Sequence, residues 1–218
     1  MMNNLFNIFD PASFMFNLNW SSSIIIILIL PMKFWTMQSR SNSIYNSLNN
    51  WISKEMKINI KKNNSIIIIS SLFIFISMNN FMGLFPYTFT STSHLTMTLT
   101  FSLPIWLSIM MYGWTNMTNK MFTHLIPNST PTILMPFMTI IETISNIIRP
   151  VTLAVRLTAN MIAGHLILTI MSSNNPEFKF IPIILISEMM MMILEMAVAM
   201  IQAYVFTILS SLYLSEIN

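Results

Sequence analysis

Apolar residues run through this chain in uncharged blocks, separated by short polar or basic stretches. No charged residue occurs between Asp10 and Lys33, and the run Ile24 to Leu30 forms the centre of that block. With Trp20 and Trp35 at its flanks, it predicts a first membrane span over residues 20–38, because about 20 apolar residues cross a bilayer and aromatic rings favour its interfaces. Residues 40–62 are different. Arg40, Lys54, Lys57, Lys61 and Lys62 face only Glu55, with Trp51, Ile52, Met56, Ile58 and Ile60 interspersed. That pattern predicts a partly amphipathic helix on the membrane surface, on the side where positive loops remain. No Asp, Glu, Lys or Arg then occurs from Asn63 to Asn119. Two spans fit there, over 65–85 and 96–118, joined by a loop holding Pro86, Tyr87 and His94. Pro127, Pro131 and Pro136 mark a break before the next helix.

Two further apolar segments follow, over 136–172 and 180–216, with a turn at Ser172-Ser173-Asn174-Asn175-Pro176. Each is much longer than a simple span and calls for a strongly tilted helix. The expected architecture is therefore an all-α polytopic membrane protein. It has about three transmembrane helices, one amphipathic surface helix and a hairpin of two long, tilted intramembrane helices, all in one membrane domain over 1–218. No internal repeat is visible. If the basic loops lie inside, the N-terminus is outside and five crossings bring the C-terminus inside.

Composition narrows the class. Charged residues make up 8% of the 218 positions and apolar residues 54%, against about 25% charged in an average soluble domain. The charges needed to cover a soluble surface are missing. Zero Cys excludes a disulfide framework, a thiolate zinc site and Cys-ligated iron–sulfur clusters. Three His are too few for two bis-His haems, and none of the three Gly sits in a phosphate-loop pattern. Met occurs 23 times against three Gly, beside many Ile, Asn and Ser, which suits the mutational bias of an AT-rich organelle genome. Met1 to Asp10 is neutral to acidic without Arg, so neither a transit peptide nor a signal peptide is expected. Synthesis inside an organelle or in a bacterium fits.

The last two segments hold most of the intramembrane charge. Glu142, Arg149 and Arg156 are spaced by seven, and Asn160 continues their stripe one turn on. His165 lies nine residues beyond Arg156, nearly on the opposite face at about 100° per residue. On the final segment Glu188, Glu195 and Gln202 are spaced by seven, and the same register reaches Glu216. From Glu195 to Glu216 the rise is roughly 31 Å, close to the thickness of the hydrocarbon core. A charge at mid-membrane costs about 2.5–3.5 kcal/mol on insertion scales, so this set demands pairing or hydration. Carboxylates and His exchange protons when burial moves their pKa values towards neutrality. Arg does not. Titratable groups interrupted by one fixed positive charge describe a proton or ion path with a gate. The structural alternative is pairing for assembly, such as Glu142 with Arg149. His94 and His124 read as loop residues without a ligand role, and Glu177 and Lys179 as solvated turn residues. Glu188 has no assignable role. Met189 to Met192 read as lipid-facing or filler rather than a metal site.

The run Arg149-Pro150-Val151-Thr152-Leu153-Ala154-Val155-Arg156-Leu157-Thr158-Ala159-Asn160-Met161-Ile162-Ala163-Gly164-His165 closely resembles the signature of subunit a of F-type ATP synthases in its animal mitochondrial form. Asn4-Leu5-Phe6 with Phe9-Asp10-Pro11, Asn80 to Tyr87, and Glu195 with Ile201 to Phe206 agree with the same family. The resemblance covers essentially the full length. It implies a stator in the mitochondrial inner membrane, facing a rotating c-ring of hairpin subunits with mid-membrane carboxylates, beside other membrane-part and peripheral-stalk subunits. Arg156 matches the essential arginine separating two proton half-channels. His165 and Glu195 match the intermembrane-side channel, and Glu142 and Glu216 the matrix side. Arg149, Asn160 and Gln202 match supporting polar positions. The chain is expected to carry no nucleotide site of its own, no metal and no cofactor, and with the basic loops on the matrix side its N-terminus lies in the intermembrane space and its C-terminus towards the matrix.

Two other functions compete. A self-contained secondary transporter would show inverted repeats and matched helix breaks, which this sequence lacks. A purely structural subunit of a respiratory complex leaves the two polar stripes without a purpose.

Overall fold

The computed structural model describes residues 5–12, 17–31, 37, 39–60, 63–85, 88–126, 131, 133–173 and 181–217. All regular elements among them are helical, as the uncharged blocks require of a chain whose backbone must satisfy itself inside lipid. The helices are α1 (Ser21–Ile29), α2 (Arg40–Asn59), α3 (Asn63–Gly83), α4 (Leu95–Asn116), α5 (Thr118–Leu125), α6 (Met135–Ser173) and α7 (Ile181–Ile217). Short 3-10 turns stand at Leu5–Phe9, Leu18–Trp20 and Ser91–Ser93. Four helices, α3, α4, α6 and α7, contain segments long and apolar enough to cross a membrane. Helix α1 is shorter, and part of the expected first span (residues 32–36 and 38) lies outside the described residues.

Helices α6 and α7 have 39 and 37 residues, or roughly 58 and 55 Å of rise. The hydrocarbon core is about 30 Å thick, so little more than half of either helix can stand upright in it. They pack antiparallel, with α3 against α7 and α4 against α6. Pro150 is buried within α6, and Pro104 lies within α4. The eight-residue α5 fills the stretch around Lys120, where the sequence signals only a break.

The core has two apolar knots. Ile52, Met56 and Ile60 of α2 and the residue after it meet Ile66 and Ile69 of α3. Ile76 of α3 joins Leu153 and Leu157 of α6 and Ala203 and Phe206 of α7. The second knot locks the long hairpin at its middle. Beside it the interior turns polar. Asn79, Asn80 and Thr90 to Ser93 are all buried. Ser91 donates to Asn79 Oδ1 at 3.1 Å, and Asn80 donates to the Ala199 carbonyl at 3.3 Å. Hydroxyls along the helices, such as Ser77 and Thr158, bond carbonyls one turn back, which keeps them satisfied in an apolar setting.

Candidate functional site

Helix α6 has two unlike faces around Arg156. Leu153, Ala154, Leu157, Thr158 and Met161 are buried against the rest of the chain. Their spacing, one or three residues apart, makes a single helical stripe. Val151, Thr152, Val155, Arg156 and Ala159 form the opposite stripe and are exposed. Arg156 makes no ion pair or hydrogen bond with another described residue. On α7, Ile193, Leu194, Met200 and Ile201 are exposed as well. The long hairpin thus offers a largely apolar outer surface that carries the Arg156 charge. Asn160, one turn from Arg156, and Gln202 on α7 are half-buried.

Towards the start of α6 lies a compact ionic cluster. Arg149 Nη1 donates to Glu216 Oε2 at 2.5 Å, across 67 residues of sequence. Its Nη2 stands 3.7 Å from Glu142 Oε1, and the guanidinium lies 5.1 Å from the Tyr213 ring centroid. The sequence stripe brings Glu142 and Arg149 together on α6, and the antiparallel return of α7 adds Glu216. These three residues, with Lys120 and Asn146, line a cavity of about 130 Å³. A bidentate, planar guanidinium suits the bridging of two carboxylates.

Towards the end of α6 a larger cavity opens, about 870 Å³, lined by Asp10, Asn19, His165, Thr169 and Glu188 among others. Phe9 meets the His165 ring edge-on at 6.3 Å between centroids. Glu195 is 7% exposed, and neither carboxylate oxygen has a hydrogen-bond partner among the described residues. His165 Nε2 is buried and unpartnered too. Hence no direct hydrogen bond joins His165 to Glu195. They are neighbours through Gly164, whose missing side chain leaves space for the Glu195 carboxyl. Unpartnered buried polar atoms are rare because each costs about 1–3 kcal/mol, so these atoms suit a path that water or a proton enters.

Arg156 lines neither cavity. It stands between them, seven residues beyond Arg149 and nine before His165, or roughly 10 and 13 Å along the axis. Arg156, an exposed fixed cation, thus lies along α6 between the Arg149 cluster and His165 and belongs to neither group. Chemically this suits proton transfer in two separate steps rather than one continuous wire.

Asp10 and Glu188 join the larger cavity, a grouping the sequence does not declare. For Glu188 the signal is its place one heptad before Glu195, and for Asp10 none exists without the fold. His94 packs between Trp20 and Phe89, with centroids at 5.2 and 5.1 Å. Glu177, Lys179 and the side chain of His124 lie outside the described residues.

The model of the family described as "ATP synthase A chain" matches residues 8–215. The chain is 55% identical to ATP synthase subunit a of Drosophila melanogaster over 224 residues, covering the whole of both chains. It is 54% identical to that of Locusta migratoria and 52% identical to that of Aedes albopictus, again over the whole of both chains. The stripes on the long hairpin, the unpaired Arg156 and these full-length likenesses agree, and the chain belongs to the ATP synthase A chain family.

Proposed function

We propose that this proton-translocating subunit of the ATP synthase membrane part works through two offset half-channels that meet at Arg156. One observation carries the reading. Arg156 is exposed beside Val151, Thr152, Val155 and Ala159 on one face of α6, and it has no ion pair or hydrogen bond among the described residues. A cation there costs several kcal/mol against lipid, and a facing carboxylate in mid-membrane would remove that cost. A rotating ring of hairpin subunits, each carrying such a carboxylate, supplies it. The chain then sits in the mitochondrial inner membrane as the stator, held by other membrane-part and peripheral-stalk subunits. Its N-terminus lies in the intermembrane space and its C-terminus towards the matrix.

Protons enter through the larger cavity, by way of His165 and Glu195, and neutralise a ring carboxylate. The neutral carboxyl tolerates lipid and rotates away. After nearly a full turn it reaches the side of Glu142 and Glu216 and releases its proton. Arg156 keeps the arriving carboxylate ionised and blocks a direct passage between the two sides. A guanidinium does not give up its proton inside a protein, so Arg156 cannot relay a proton itself. Arg149 holds the matrix-side carboxylates in position, and Asn160 and Gln202 flank the gate. Each proton crossing releases roughly 2.3 kcal/mol per 100 mV, which a leak past Arg156 would dissipate. No nucleotide chemistry is assigned to this chain.

The chain has no native Cys, so single cysteines report cleanly. Val151→Cys, Val155→Cys and Ala159→Cys in the assembled complex are expected to crosslink to cysteines on the ring's outer helices. Leu153→Cys and Leu157→Cys, on the buried stripe, are not. Crosslinks from the buried stripe alone would overturn the assignment of the ring-facing surface.

A further inference from the structure

Helix α7 carries Glu188 seven residues before Glu195, two turns and about 10 Å away on the same side of the helix. Glu188 is half-buried and makes no ion pair or hydrogen bond with another described residue. It lines the 870 Å³ cavity together with His165 and Asp10, the other titratable groups among its described lining residues. That volume holds many waters, since each takes about 30 Å³ in the liquid. Asn19, Thr88 and Thr169 add polar lining. His165 of that lining has a buried Nε2 without a partner among the described residues, and the Glu195 carboxyl, buried and unpartnered as well, lies against the adjacent Gly164. An unpaired carboxylate lining a cavity roomy enough for water, one heptad from buried polar atoms without partners, has a plain use. It raises the local concentration of protons by attraction and holds one in transit.

We propose that Glu188 is a proton-collecting residue at the entrance of the intermembrane-side half-channel, feeding His165 and Glu195. This rests on the half-channel reading given above. In the step, the Glu188 carboxylate takes a proton from hydronium at the mouth and releases water. It then hands that proton through cavity water to His165 Nε2 or to the Glu195 carboxylate and returns to its ionised form. Nothing is consumed, and no other reactant is needed. Asp10, on the segment after the first 3-10 turn, sits in the same cavity and supports the attraction. The role differs from that of Glu195. Glu188 sets how readily the channel fills when protons are scarce, whereas Glu195 stands directly on the route.

The test uses the whole ATP synthase carrying Glu188→Gln, reconstituted in vesicles. ATP synthesis is followed as a function of pH on the proton-entry side, at constant membrane potential. The expected result is a several-fold loss on the alkaline side and a curve displaced to lower pH, with Glu188→Asp restoring the wild-type curve. A Glu188→Gln curve that overlays wild type overturns the proposal. So does an equal loss at every pH that Glu188→Asp fails to repair, because that marks a packing role. Glu195→Gln in the same vesicles separates the two levels. Synthesis lost there while Glu188→Gln overlays wild type overturns the collecting role alone. Wild-type curves in both variants overturn the half-channel reading as well.

Discussion

A methyl group on Gly164 would lie 2.7 Å from Oε1 of Glu195 and 2.9 Å from its Cδ. Helix α6 therefore lacks a side chain at the point where the buried carboxyl of α7 needs the space. Since Glu195 is 7% exposed, it has little freedom to move aside. Overpacking of this kind costs about 1–3 kcal/mol and falls on a group of the proposed proton path.

The first prediction follows from that approach. Gly164→Ala is expected to lower proton-driven ATP synthesis in a complex that still assembles. The double variant Gly164→Ala with Glu195→Asp, which shortens the acid by one methylene, should recover part of the rate. Full synthesis in Gly164→Ala would show that the carboxyl can swing away without consequence.

The Arg149 cluster gives a second prediction. Its side chains are partly exposed, 29% for Arg149 and 45% for Glu216, so the pair resembles a hydrated ion pair more than a buried one. A double-mutant cycle with Arg149→Ala and Glu216→Ala should give a coupling of about 1 kcal/mol or less in the stability of the complex. Glu216→Gln alone should reduce synthesis less than Glu142→Gln and Glu216→Gln combined, because Arg149 keeps one carboxylate partner. An equal loss in the single and the double variant would contradict the shared role.

Several of these features are legible along the chain, and the reasons differ. Uncharged blocks reveal the spans because lipid penalises charge wherever it falls. Spacing by seven places Glu142 beside Arg149, because residues one or two turns apart share a helix face. The nine-residue step from Arg156 to His165 turns the two to different faces, and His165 lines a cavity that Arg156 does not. By contrast, the bond from Arg149 to Glu216 depends on how α7 returns along α6, which no local pattern encodes. The closeness of Gly164 and Glu195 depends on the same register. Asp10 enters the larger cavity only because the N-terminal 3-10 turn packs against α6. Helix α5 is hidden because eight polar and apolar residues after a span look like a loop.

In the proposed mechanism Arg156 is a fixed charge separating two proton paths. Arg156→Ala, built into the whole complex and reconstituted in vesicles, tests it most directly when proton-driven ATP synthesis and passive proton leak are recorded together. Arg156→Lys belongs in the same series, since a buried ammonium can lose its proton where a guanidinium cannot. Arg156→Ala is expected to give an assembled complex without synthesis and with a raised leak, and Arg156→Lys impaired coupling. Normal synthesis with an unchanged leak in Arg156→Ala would contradict it.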